Sequence, residues 1–129
     1  MTNIIIVVAL TIFGEAQGEP LAGKKAVASV IWHRAGGDPA KFESVCKAPK
    51  QFSCWNKERP KVPGNYLSRK AWSECRHIAE AMVARDFTPT INADHYHATS
   101  ITPPSWAAKM GLVAMIGGHY FYSSKGGNK

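Results

Sequence analysis

Glu15 stands where an acid could work. It follows an almost unbroken apolar run from Ile4 to Phe13 and is flanked by Gly14 and Gly18. A carboxylate beside apolar surface loses water contacts, which disfavours its charged form and raises its pKa. A glutamic acid that keeps its proton near neutral pH can protonate a leaving oxygen, such as that of a glycosidic bond. The two glycines carry no side chain, so another backbone or a bulky ligand could come close. The competing reading is a helix-end glutamate that points into solvent.

Other residues could do other chemistry. His95 and His97 are two apart and would face one side of a strand, as two metal ligands might require. A third ligand could come from His119, Asp94 or Glu19, and a metal-dependent hydrolase would use such a set. No His-Glu-x-x-His or Cys-x-x-Cys motif accompanies them. The expectation is therefore no metal and no cofactor, with histidines packed near a cleft. No Gly-x-Ser-x-Gly motif marks a serine nucleophile, and no local signature pairs a cysteine with a histidine. The cluster Gln51-Phe52-Ser53-Cys54-Trp55-Asn56 suits stacking on a sugar and hydrogen-bonding to it. It would equally suit a loop pinned to the core by Phe52 and Trp55.

These residues need elements to position them. Residues 4 to about 17 read as a helix that is apolar on nearly all faces, hence buried. Gly18-Glu19-Pro20 breaks it. Residues 22–35 form a second helix, with Ala26, Val27, Val30, Ile31 and Arg34 at helical spacing and Gly36-Gly37 as its stop. Asp38 can cap a short third helix with Pro39 at its first position and Phe42 and Val45 turned inward. Residues 47–67 are irregular. Ser68 opens the longest helix, running to about Asp86, with a stripe of Ala71, Trp72, Cys75, Ile78, Ala79, Met82 and Val83. The aromatic-rich segment 93–98 favours a strand. Ser105 can cap a turn over residues 106–110. Residues 112–122 look like two extended segments around Gly117-Gly118, able to pair with residues 95–98. The tail from Ser123 is expected to fray.

Size and charge set bounds. The chain has 129 residues, one domain's worth, and 45% are hydrophobic, which fits a globular protein. The run after Met1-Thr2-Asn3 has no preceding Lys or Arg and no cleavage site, so it reads as a core helix and not as an export signal. At about ten residues it is too short to span a bilayer, which takes roughly 20. The net charge is +7, from 16 Lys and Arg against 9 Asp and Glu. Such charge attracts polyanions: nucleic acid, anionic lipid or anionic wall polymers. A small nucleic-acid binder would stack bases on Trp55, Tyr66 and Tyr96, but no zinc-finger, RRM-like or helix-turn-helix signature goes with them. Cys46, Cys54 and Cys75 make an odd count, which argues against a disulfide framework and for buried thiols.

Several motifs in order give a resemblance. Leu10-Thr11-Ile12-Phe13-Gly14-Glu15-Ala16-Gln17-Gly18-Glu19-Pro20 is followed by Gly23 and by Ala26-Val27-Ala28-Ser29-Val30-Ile31-Trp32-His33-Arg34. Then come Gln51-Phe52-Ser53-Cys54-Trp55, Ala93-x-x-Tyr96-His97, Pro104-x-Trp106-Ala107 and Ile116-Gly117-x-His119-x-Phe121-Tyr122. In this order they resemble the SleB/CwlJ-type cell-wall hydrolase family of spore cortex-lytic enzymes and phage relatives. The stretch from Asp86 to Ala93 departs from the turn that the family often has there.

The resemblance implies an α+β, mostly α, lysozyme-like single domain over residues 1–129 with a short antiparallel β-hairpin. It implies cleavage of the β-1,4 bond between N-acetylmuramic acid and N-acetylglucosamine by lytic transglycosylase chemistry. The family's catalytic glutamate falls on Glu15. Substrate contacts are expected from Glu19, Gln51, Phe52, Ser53, Tyr96, His97 and His119. A hydrolytic muramidase would need a second carboxylate, for which Glu19, Asp94 and Glu43 are candidates. The partner is the peptidoglycan glycan strand, without nucleic acid and without stable membrane insertion. A bare, basic catalytic domain is similar to a monomeric phage endolysin, made in the host cytoplasm and released to the wall by a separate holin-like protein.

Overall fold

A computed structural model describes residues 3–48, 52, 55 and 66–125. Helix α1 spans Ile4–Ala16. Its β-branched residues are mediocre helix formers, so burial, not propensity, holds it helical. Asn3 caps it, its Oδ1 accepting from the Ile6 N–H at 3.3 Å. Val7 through Phe13 are buried without a break, so α1 is the axis of the core. Thr11, the polar residue in that stretch, donates to the Val7 carbonyl and accepts from the Trp55 indole N–H at 2.7 Å.

Helix α2 (Leu21–Arg34), α3 (Phe42–Lys47) and α4 (Tyr66–Val83) pack around α1. A 3-10 turn over Pro39–Lys41 leads into α3, and Asp38 caps it by accepting from the Ala40 N–H. On α4 the stripe faces inward as expected, with Cys75, Ile78, Ala79 and Met82 buried. Burial pushes the Cys46 thiol up to about 11 and the Cys75 thiol up to about 12, and both are free thiols. Cys54 lies outside the described residues. No helix among the described residues is long and apolar enough to cross a membrane.

The ends of α2 and α4 share one motif. At α2 the Gly37 N–H bonds the Trp32 carbonyl and the Gly36 N–H bonds the His33 carbonyl, with Gly36 at φ +62°. At α4 the Asp86 N–H bonds the Ala81 carbonyl and the Arg85 N–H bonds the Met82 carbonyl, but the left-handed position is Arg85, at φ 61°. Glycine adopts that conformation without the Cβ penalty. Arg85 gains little in return, since its guanidinium is mostly exposed and lies 3.8 Å from Asp38. Arg85→Gly is therefore expected to stabilise the fold by about 0.5–1 kcal/mol, read as a higher denaturation midpoint at unchanged slope.

Two expectations shift, and the pairing of the hairpin with residues 95–98 holds. α4 begins at Tyr66 and ends at Val83, so Ser68 lies inside it and Asp86 beyond it. The 3-10 turn starts at Ser105 itself, after Pro104, with no side-chain cap. The hairpin is part of a three-stranded antiparallel sheet in the order β1-β3-β2, with β1 His95–Ala98, β2 Gly111–Ile116 and β3 His119–Ser123. β3 is central because the Gly117-Gly118 turn folds it onto β2, while its other edge pairs with β1.

Two-residue alternation gives this sheet two different faces. Tyr96 pairs with Phe121 and Ala98 with His119, so these side chains share the face toward the helices. His95 pairs with Tyr122 and His97 with Tyr120 on the opposite face. Trp106 lies against that outer face, its ring 5.2 Å from His95, 5.9 Å from His97 and 5.3 Å from Tyr122.

Candidate active site

Three polar side chains of α2 hold the segment that leads into β1. Ser29 Oγ accepts from the Thr90 N–H at 2.9 Å. His33 Nε2 lies 2.9 Å from the Ile91 carbonyl. Arg34 Nε donates to the Asp94 carbonyl at 2.6 Å. Burial pulls the Arg34 guanidinium below its ordinary pKa, against the favourable fields of Tyr96 and Asp94. Beyond this anchored segment β1 carries Tyr96 to the last turn of α1.

There Tyr96 meets Glu15. The phenol O–H donates to Glu15 Oε1 at 2.5 Å, across 81 positions of sequence. Glu15 is half-buried, between exposed Gly14 and buried Ala16. A Cβ built on Gly18 would meet nothing within 4 Å, so the chain just after α1 faces open space. The Tyr96 ring is fixed by three others: His119 edge-on at 5.0 Å, Phe121 at 5.6 Å and Phe52 at 6.3 Å.

Glu19 comes to this region from the turn after α1, not from a continued helix. Its N–H bonds the Ala16 carbonyl, and Lys24 Nζ donates to its own carbonyl at 2.5 Å. Its Oε1 accepts from the Gly118 N–H at 2.6 Å. His119 Nδ1 lies 3.2 Å from the same oxygen, within ion-pair range but out of line for a hydrogen bond. The neighbouring glycines leave room for this contact. A Cβ on Gly117 would stand 2.3 Å from Glu19 Oε1, and one on Gly23 would stand 2.8 Å from Glu19 Cβ. Glu19 thus grips the turn between β2 and β3.

The expected site residues divide accordingly. The structure brings Glu15, Tyr96, Phe52, His119 and Glu19 together. Phe52 is fully buried behind Tyr96, with the Arg34 guanidinium 5.3 Å from its ring centre, so it supports the wall of the site from beneath. His97 is not in this group. It is buried on the other face of the sheet, with Nδ1 at 2.9 Å from the Ala98 carbonyl and Nε2 at 2.9 Å from the Tyr122 hydroxyl. Alternation along β1 sends His97 away as surely as it brings Tyr96 in. Gln51 and Ser53 lie outside the described residues. Arg34, Gly23 and Gly117 were not expected at the site. The Gly117-Gly118 pair ahead of His119 was visible as a turn, but its acidic partner was not.

The other candidate carboxylates are engaged elsewhere. Asp94 accepts from the Ser124 N–H at 2.9 Å, contacts Ser124 Oγ, and lies 3.0 Å from His95 Nδ1. Burial pushes the Asp94 carboxyl up, but the bonds from His95 and Ser124 outweigh it and hold it below the usual carboxylate range. Glu43 pairs with Lys47 at 2.9 Å on the surface. Among the described residues no group of three or more His, Cys, Asp or Glu could hold a metal ion. The aromatic trio proposed for base stacking is not a platform either, since Trp55 packs on the core and Tyr96 faces Glu15. The Tyr66 side chain lies outside the described residues.

Comparison with known proteins gives the fold its relatives. The solved catalytic domain of the germination-specific lytic transglycosylase SleB from Bacillus anthracis is 26% identical, with a TM-score of 0.69 over 95% of this chain and 96% of that one. The catalytic domain of the Bacillus cereus SleB protein is 25% identical, with a TM-score of 0.67 over 93% of this chain and 89% of that one. No curated protein sequence matches the chain. The family model described as Cell Wall Hydrolase matches residues 18–122. With that match across most of its length and the SleB fold around Glu15 and Tyr96, the chain belongs to the SleB/CwlJ-type cell wall hydrolase family.

Proposed function

We propose that the protein is a peptidoglycan lytic transglycosylase with Glu15 as its acid and base. The observation that carries this reading is the Tyr96 hydroxyl on Glu15 Oε1 while Glu19, Asp94 and Glu43 are each committed to protein partners. The activity named for the Bacillus anthracis relative supports it. A hydrolase needs a second carboxylate to activate water or to attack the sugar. A transglycosylase does not, because the muramyl 6-hydroxyl is the nucleophile.

The steps balance with one carboxyl group. With Oε1 accepting from Tyr96, the transferable proton belongs on Oε2. Glu15 passes it to the glycosidic oxygen as the bond to C1 of N-acetylmuramic acid breaks, and the N-acetylglucosamine end leaves as an alcohol. The carboxylate then takes the proton of the 6-hydroxyl as O6 bonds to C1. A 1,6-anhydromuramyl end results, and Glu15 is again protonated. Mass spectrometry of fragments released from purified peptidoglycan tests this. Ends lighter by one water are expected, and reducing muramic ends would show a hydrolase instead.

Tyr96 orients the acid through one bond. Tyr96→Phe keeps the ring and its packing, so it should lower kcat by about ten- to a hundredfold with an unchanged melting temperature. The finer biological reading is a phage endolysin. The net charge of +7 suits an anionic wall. Expression with a holin-like membrane-lesion protein should lyse a bacterial host, and expression without it should not.

A further inference from the structure

We infer that a groove outside the catalytic pair binds the peptide stem of the peptidoglycan substrate. This rests on the reading of the protein as a peptidoglycan-cleaving enzyme. The groove lies between the first turns of α2, the middle of α4 and residues 86–90, with a volume of about 490 Å³. That is within the roughly 300–1,000 Å³ of small-ligand sites. Leu21, Ile78, Ala81 and Phe87 make it mostly apolar.

Its charged groups point to the occupant. Glu74 at the rim is already paired with Lys24 at 3.4 Å. Lys25 and Asp86 also line the groove, and among the described residues neither has an ion-pair partner. One unpaired cation and one unpaired anion over an apolar floor complement a short zwitterionic peptide. An amidated stem of the lysine type is such a molecule: one terminal carboxylate, the free amine of its diamino acid, and an alanine methyl group on either side of that residue. Lys25 would take the carboxylate and Asp86 the amine.

The two places are near in the chain. Leu21, at the groove, follows Glu15 so closely that their Cα atoms lie at most about 20 Å apart. A stem of four or five residues extends about 15 Å from the muramyl lactyl group, a length of the same order.

Three substrates separate this proposal from the activity itself: intact purified peptidoglycan with amidated lysine-type stems, glycan strands stripped of stems by an amidase, and the tetrapeptide N-acetyl-L-Ala–D-isoglutamine–L-Lys–D-Ala. The variants are the surface pair Lys25→Gln with Asp86→Asn, and Ala81→Trp, which fills the groove. The native protein should bind the tetrapeptide in a calorimetric titration, and both variants should lose that binding. On intact peptidoglycan the variants should raise KM roughly tenfold at unchanged kcat, and on stripped strands they should match the native protein. No tetrapeptide binding by the native protein, or an equal KM shift on both polymers, overturns the proposal. Tetrapeptide binding by a native protein that cleaves neither polymer would support the groove and overturn the glycosidase reading alone. The surface pair keeps the test valid if Ala81→Trp does not fold.

Discussion

Glu15→Gln should cut turnover on purified peptidoglycan by about a thousandfold and leave the fold intact. General acid–base catalysis by a positioned group contributes about 10²–10⁴-fold, and in the proposed reaction one group serves both halves. Glutamine has the same shape but no proton to give to the glycosidic oxygen. It can still accept from the Tyr96 hydroxyl through its carbonyl, so the contact now made to Oε1 survives. The loss should appear in kcat, with substrate binding little changed. A Glu15→Gln protein that melts like the native one yet still releases muropeptides at more than a few per cent of the native rate would remove Glu15 from the mechanism.

Gly117→Ala should do comparable damage by a different route. Its φ of +56° is strained for any residue with a Cβ, and that Cβ would stand 2.3 Å from Glu19 Oε1. The carboxylate cannot yield cheaply, because it holds the Gly118 N–H and has Gly23 against its own Cβ. We expect a loss of about 2–4 kcal/mol in unfolding free energy. Activity should fall as His119, two positions on, shifts against Tyr96. Adding Glu19→Ala removes the clash but leaves the φ strain and an unpaired Gly118 N–H. The double variant should therefore lose less stability than the sum of the two single variants. Simple additivity would mean that the two residues do not press on each other.

The contrast between these two positions shows what the sequence carries. Glu15 was legible because its neighbours in the chain make its setting: an apolar run before it and glycines around it. The helical stripe of α4 and the closing glycines of α2 were legible for the same reason, since periodicity and left-handed stops are local. Tyr96 was visible as a candidate, but alternation also offered His97, and only the packing of the sheet on α1 chose between them. Glu19 read as a substrate ligand or as a second carboxylate. Its partner at Gly118 is 99 positions away, and no local pattern encodes such a bond. Arg34 looked like one more residue of a helical stripe. Its task, holding the Asp94 carbonyl, depends on where residues 90–94 pass over α2. The C-terminal end of α4 shifted because Arg85 stops the helix in a conformation usually left to glycine.

Glu15 and the tyrosine that bonds it stand 81 positions apart in sequence. β1, which carries that tyrosine, is held by β3, which follows it in the chain. Contacts so distant in sequence form late in folding, because the chain between them must be ordered first. The glutamate is therefore made well before the tyrosine that aims it, and the aim is set only once β3 has paired with β1. Products that stop short of β3 should be inert toward peptidoglycan.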